Sequence, residues 1–169
     1  ELPKSVRTGL GELNVIEYAT AAEFLDTTRE LLLENEAANE LVLSYAIGQT
    51  KGIESNMSTK FYCVVDGDTP LLPAMYTPGI WPGIVEGPEE AARLFARYLF
   101  PKDPRLKGVS GPKETSLAFV EERERLTRCD LEIKMNSRIY ECRSVTQLEC
   151  ADGMLRQATM EEIDLVQEW

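Results

Sequence analysis

Apolar positions along this chain recur with two periods, and the switches between them mark its elements. Leu13-Asn14-Val15-Ile16-Glu17-Tyr18-Ala19 is short and rich in strand-forming residues, which predicts a strand. In Thr20-Ala21-Ala22-Glu23 the threonine is placed to cap a helix beginning at Ala21, with the glutamate reaching back to it. Phe24, Leu25, Thr28, Leu31 and Leu32 then return at spacings of three and four, one buried helical face. Asn35 offers a second cap ahead of Ala38, Leu41, Val42, Tyr45 and Ala46, and Gly48 is expected to end that second helix.

Beyond a polar stretch, Phe61-Tyr62-Cys63-Val64-Val65 predicts a strand, and Asp66-Gly67-Asp68 turns it into Pro70-Leu71-Leu72-Pro73-Ala74-Met75-Tyr76, giving a hairpin. Pro73 should make the second strand short, bulged or an edge, because proline donates no ladder bond. Pro78 and Pro82 bracket an irregular segment before Gly83-Ile84-Val85-Glu86. Gly87-Pro88-Glu89-Glu90 opens a helix with proline in its first turn and acids where the helix dipole favours them; Ala91, Leu94, Phe95, Tyr98 and Leu99 are its inner stripe and Pro101 its stop.

Gly108-Val109-Ser110-Gly111 reads as a short strand feeding a helix that carries Leu117, Phe119, Val120 and Leu126, with Arg123, Arg125 and Arg128 late in it. Leu131, Ile133 and Met135 alternate, as do Tyr140 and Cys142, with the phase changing at Asn136-Ser137: one long bulged strand or a tight hairpin. The resulting order is strand, two helices, three strands, helix, strand, helix, strand. It predicts an α/β (α+β) layer architecture, a mixed sheet flanked by helices.

Composition narrows the chemistry. At 169 residues the chain can bury a full core without staples. Its formal charge of −11 repels phosphate backbones and anionic lipid surfaces, so neither nucleic acid nor membrane is an expected partner. With no histidine, the usual serine and cysteine triads and most zinc sites are excluded. Cys63, Cys129, Cys142 and Cys150 form no C-x-x-C pair, so no metal site is expected; they read as reduced thiols of a cytoplasmic protein, with a Cys142–Cys150 bridge the minor alternative. The first dozen residues are short of periodic apolar content and lack a secretory apolar stretch, so residues 1–12 read as a tail or an appended remnant.

One internal echo stands out. Ile16-Glu17-Tyr18-Ala19-Thr20-Ala21-Ala22-Glu23-Phe24 is repeated in outline by Leu155-Arg156-Gln157-Ala158-Thr159-Met160-Glu161-Glu162-Ile163: a strand, an Ala-Thr cap, a capping glutamate, an apolar position. Two readings account for it. Either a common capping box recurs by chance ahead of a terminal docking helix, or a second domain of the same kind starts here and is cut short.

Val15-Ile16-Glu17-Tyr18-Ala19-Thr20, Leu32-Leu33-Glu34-Asn35-Glu36-Ala37-Ala38-Asn39, Phe61-Tyr62-Cys63-Val64-Val65, Gly108-Val109-Ser110-Gly111-Pro112 and Leu155-Arg156-Gln157-Ala158-Thr159 together resemble a bacterial family of the GNAT superfamily of N-acetyltransferases. In that family a GNAT-like domain precedes a complete one. The resemblance implies a GNAT-like domain over residues 13–147, a linker over 148–154, and the first strand and helix of a second, truncated GNAT domain over 155–169. It further implies acetyl-CoA as cofactor and a small amine as substrate of the parent enzyme. The implied partners of this chain are the missing C-terminal GNAT domain or a second copy. The alternative is a stand-alone structural or ligand- or protein-binding domain of the same architecture without transferase activity.

GNAT domains hold the pyrophosphate on backbone N–H groups of a Gln/Arg-x-x-Gly-x-Gly/Ala turn at a helix start. Here Gly83-Ile84-Val85-Glu86-Gly87-Pro88-Glu89-Glu90 offers Gly87 beside a proline without a donor, among three carboxylates. Ser110-Gly111-Pro112-Lys113 is a second candidate, with the hydroxyl of Ser110, a flexible Gly111 and the ammonium of Lys113, although an ordinary strand-to-helix turn explains it as well. For proton transfer, Glu86, Glu141, Tyr76, Tyr98 and Tyr140 are the right residue types, and none is singled out as catalytic. Tyr76, Ile80 and Trp81 could line an apolar lip, and Glu121-Glu122-Arg123-Glu124-Arg125 reads as a solvated helix face with local ion pairs.

Overall fold

In the computed structural model, which describes residues 5–8, 11–53, 58–128, 132–146, 154 and 156–168, β3 (Lys60–Asp66) is the strand about which the rest is built. Its residues Phe61 to Val65 are all buried, and their alternation divides two cores. Tyr62 and Val64 face Leu13, Leu72, Phe95 and Phe119 on one side of the sheet; Phe61 faces Phe24, Leu32, Val42 and Met75 on the other. β2 (Gly11–Tyr18) and β4 (Thr69–Tyr76) flank β3, with β1 (Ser5–Thr8) and β5 (Gly83–Ile84) outside them, in the order β1-β2-β3-β4-β5. Every strand pair is antiparallel. The parallel component expected of a mixed sheet is confined to one bridge, between Gly83 and Ser110.

Helices α1 (Ala21–Glu34) and α2 (Glu36–Thr50) cover one face, and α3 (Glu89–Leu99) and α4 (Lys113–Thr127) cover the other, so the chain is a layered α/β protein. Thr20 caps α1 as predicted, accepting from Glu23 N–H at 3.2 Å, while the Glu23 carboxylate reaches one residue further back, to Ala19 N–H at 3.2 Å. The α1–α2 junction differs from expectation. Asn35 makes no side-chain cap bond; the buried Asn39 amide donates to Leu32 C=O at 3.0 Å and ties the two helices together. Gly48 does not end α2, which runs on to Thr50 because Ile53 folds back and its N–H bonds Gly48 C=O at 3.0 Å.

The hairpin forms about the Asp66-Gly67-Asp68 turn, where Gly67 takes φ of 58°, a left-handed conformation that glycine adopts without strain. The second strand is neither short nor an edge, since β4 is eight residues long and β5 pairs with Ala74 and Met75. Its irregularity lies ahead of Pro73, at the register shift opposite Val64 and Val65.

Three expectations for the ends are corrected. Ser5–Thr8, inside the expected tail, pairs with β2 as a strand. Residues 132–146 form no strand; Ile133, Met135, Ile139 and Tyr140 are exposed, because no neighbouring strand offers the ladder that their alternation requires. Residues 156–168 hold no strand, only a 3-10 turn Met160–Glu162 and α5 (Ile163–Gln167), started by the Thr159–Glu162 capping box and an Arg156–Glu162 ion pair. Cys129, Leu131, Cys150, Leu155 and residues 148–153 of the expected linker lie outside the described residues.

Candidate functional site

The two candidate turns come together at one end of the sheet. Ser110 sits in the bridge: Ile84 N–H donates to Ser110 C=O and Ser110 N–H to Pro82 C=O, both at 2.9 Å. Directly after it, Gly111 passes so close to β5 that a Cβ there would meet Ile84 O at 2.5 Å and Ile84 Cγ1 at 2.7 Å. Gly87, at the start of α3, would drive a Cβ to 2.7 Å from Leu71 O. Its N–H donates to Thr115 Oγ1 at 3.3 Å, and Thr115 is buried on α4. Lys113 is the exposed first residue of α4.

The Gly87 turn does not fit an acetyl-CoA pyrophosphate. Such a site needs several outward backbone donors at the helix start and room for the backbone to approach the anion. Gly87 N–H is turned inward to Thr115, Pro88 has no N–H, and Glu86, Glu89 and Glu90 are exposed around the opening. Both glycines serve the contact between β4, β5 and the α3 and α4 starts, where any side chain would collide.

The residue types suited to proton transfer are dispersed. Tyr76 is buried with its Oη donating to Asp103 Oδ2 at 2.6 Å; burial, the hydrogen bond and the Asp103 charge push its phenol up to about 12. Tyr98 Oη donates instead to Glu17 Oε2 at 3.1 Å. Tyr140 and Glu141 lie in the exposed 132–146 segment, where Glu141 pairs with Arg143 at 2.9 Å. Ile80 and Trp81 are exposed, with the Trp81 ring packed against Gly108 rather than over Tyr76. The Cys63 thiol is buried, pushed up to about 11 by burial, and is a core group rather than a nucleophile. Cys142 is an exposed free thiol. Among the described residues no three or more Cys, Asp or Glu side chains are grouped to hold a metal.

The most connected polar cluster among the described residues was not singled out by the sequence. Glu17 on β2 accepts from Lys60 on β3 at 2.7 Å, from Lys102 at 2.5 Å and from Tyr98 on α3, and Lys102 also stands 4.3 Å over the Tyr98 ring. Burial alone would raise the Glu17 carboxyl, but the bonds from Lys102, Lys60 and Tyr98 outweigh it and hold it at about 2. Three elements distant in sequence supply these groups, so no local motif announces them. Glu17 and Lys60 also border a cleft of about 310 Å³ that reaches Thr20, Gln49 and Thr59.

The acidic-basic run on α4 is also not the solvated face that its composition suggests. Glu122 and Arg123 are buried. Glu122 pairs with Arg97 at 3.3 Å and Arg125 at 2.6 Å, and Arg123 donates to the carbonyls of Pro104 and Leu106, each at 3.2 Å. No family model matches this chain, and no curated protein or solved structure matches it either. Among the described residues, no helix is long and apolar enough to cross a membrane.

Proposed function

We propose that this chain is the non-catalytic N-terminal domain of a GNAT-type acetyltransferase, in which a following domain moves the acetyl group of acetyl-CoA to an amine and releases the CoA thiol. The run of elements from β2 to α4, with the Gly83–Ser110 parallel bridge beside β5, is consistent with a GNAT-like sheet. The observation that carries the non-catalytic half is the turn between β5 and α3. Its glycine N–H is spent on Thr115 and the exposed Glu86, Glu89 and Glu90 flank it in sequence, so an anionic cofactor meets repulsion and few donors. The domain then acts as scaffold, packing against the catalytic partner or shaping its substrate cleft.

Isothermal titration of this 169-residue chain with acetyl-CoA tests the reading. The expected result is no saturable heat, together with acetyl-CoA-dependent acetylation of amines by a polypeptide extended through the following domain. Stoichiometric binding to the chain alone would overturn the scaffold role. An extended polypeptide that releases no CoA thiol with any amine would overturn the transferase role and leave the stand-alone binding domain.

A further inference from the structure

The 132–146 segment and the sheet edge at Ser110 each lack what the other has. Ser110 turns its N–H and C=O inward to β5, so across the two trans peptide bonds Val109 C=O and Gly111 N–H point the other way, and among the described residues neither makes a backbone–backbone bond. This is an open edge, flanked by the half-exposed Trp81 ring against Gly108.

Residues 132–146 form no strand within one chain, but their sequence alternates as a strand does. Lys134 pairs with Glu132, and Arg143 with Glu141 at 2.9 Å, the i, i+2 spacing that places side chains on one side of an extended backbone. The opposite side holds Ile133 and Met135, 69% and 78% exposed, and, past the phase change, Tyr140 at 83%. The ion pairs satisfy charges within the segment and leave Ile133, Met135 and Tyr140 open; past the phase change Ile139 and Val145, on the side of Glu141 and Arg143, are exposed as well. Ile139–Cys142 borders a cleft with Ala37, Ala38 and Leu41 of α2. Within one chain, residues 132–146 make no bridge to that edge.

We propose that a second copy of this chain covers the edge: residues 132–142 of each copy add as a strand alongside residues 109–111 of the other. The exchange is reciprocal and closes as a two-fold dimer, since one chain carries both halves of the contact. It does not depend on the acetyltransferase reading, and the calorimetric outcome leaves it unchanged.

Sedimentation equilibrium of the chain, with hydrogen exchange read at low and high protein concentration, tests the proposal. The expected mass is twice the 19.0 kDa of one chain, with amides of 109–111 and 132–142 protected only as the dimer forms. Ile133→Asp with Met135→Asp, both at exposed positions, should weaken association on the order of a hundredfold while leaving the circular dichroism of the monomer intact. A chain monomeric throughout overturns the proposal, whether 132–142 is unprotected or protected independently of concentration. So does a dimer that the double variant leaves untouched or one in which residues 109–111 gain no protection.

Discussion

Replacing Gly111 by alanine separates two reasons for a glycine at the Ser110 turn: backbone access for a ligand, or close approach of two chain segments. An alanine Cβ would lie 2.5 Å from Ile84 O, 2.7 Å from Ile84 Cγ1 and 3.3 Å from Ile84 C. The first contact is with a carbonyl, which cannot swing aside as a side-chain end does. Relief requires the 108–111 segment to move off β5, stretching the two 2.9 Å bonds that Ser110 makes with Ile84 and Pro82. Overpacking of this kind costs about 1–3 kcal/mol, and weakening two hydrogen bonds worth about 1 kcal/mol each places Gly111→Ala in the upper part of that range. Alanine restricts the unfolded chain and returns roughly 0.4–1 kcal/mol, for a net loss of about 2 kcal/mol. Gly108→Ala is the internal control, because the nearest atoms to its Cβ are those of the Trp81 ring at 3.4 Å and it should change stability by less than about 0.5 kcal/mol. Urea unfolding of the three proteins, with equal slopes, gives the comparison. If Gly111→Ala unfolds at the parent midpoint, or Gly108→Ala loses as much, the close-packed account of this turn is wrong.

Two further perturbations probe the polar clusters. The Glu17 carboxyl is lowered from 4.5 to about 2 in the folded chain, so its stabilising contribution is complete above 4.5 and is lost as pH falls toward 2. Glu17→Gln should therefore be less stable than the parent at neutral pH, and the gap should close on acidification; a gap that stays constant across that range would show that the Lys60, Lys102 and Tyr98 contacts do not hold the carboxylate. On α4, Glu122→Ala strands the largely buried Arg97 and should cost about 3 kcal/mol, the low end for a broken buried pair because Arg125 stays largely in solvent. Glu121→Ala, next to it, removes only an exposed pair with Arg93 and should cost under about 1 kcal/mol; equal losses in thermal unfolding would refute the distinction.

These cases mark where the sequence was informative. Elements whose signal is local formed where expected: the Thr20 cap, the Asp66-Gly67-Asp68 hairpin, and the start of α3 near Pro88 each depend on residues within four positions of one another. The polar clusters depended instead on distant partners, although the Asn35 cap and the Gly48 stop are local signals that did not hold. Glu17, Lys60 and Lys102 meet across 43 and 85 residues, and nothing in the local pattern distinguishes them from other surface charges. The α4 run was misread for the same reason. Glu122 and Arg123 look solvated in a row of charges, yet Arg97 on α3 and the carbonyls after Pro101 lie against them and make burial tolerable.

The candidate cofactor turns were legible in position and not in purpose. A glycine at a strand-to-helix turn has two physical uses, an outward backbone donor or the absence of a Cβ, and sequence alone does not separate them. Thr115 decides the case at Gly87, because its hydroxyl takes the N–H that a phosphate would need. The alternation in residues 131–142 presents the same ambiguity in another form. Period two reports that a backbone prefers to be extended with one face apolar, and the i, i+2 pairs Glu132–Lys134 and Glu141–Arg143 are compatible with that form. It carries no information about which edge completes the ladder. An alternating segment with paired charges and Ile133, Met135 and Tyr140 in water is therefore a demand for a partner, and the outward Val109 C=O and Gly111 N–H are the matching demand on the sheet.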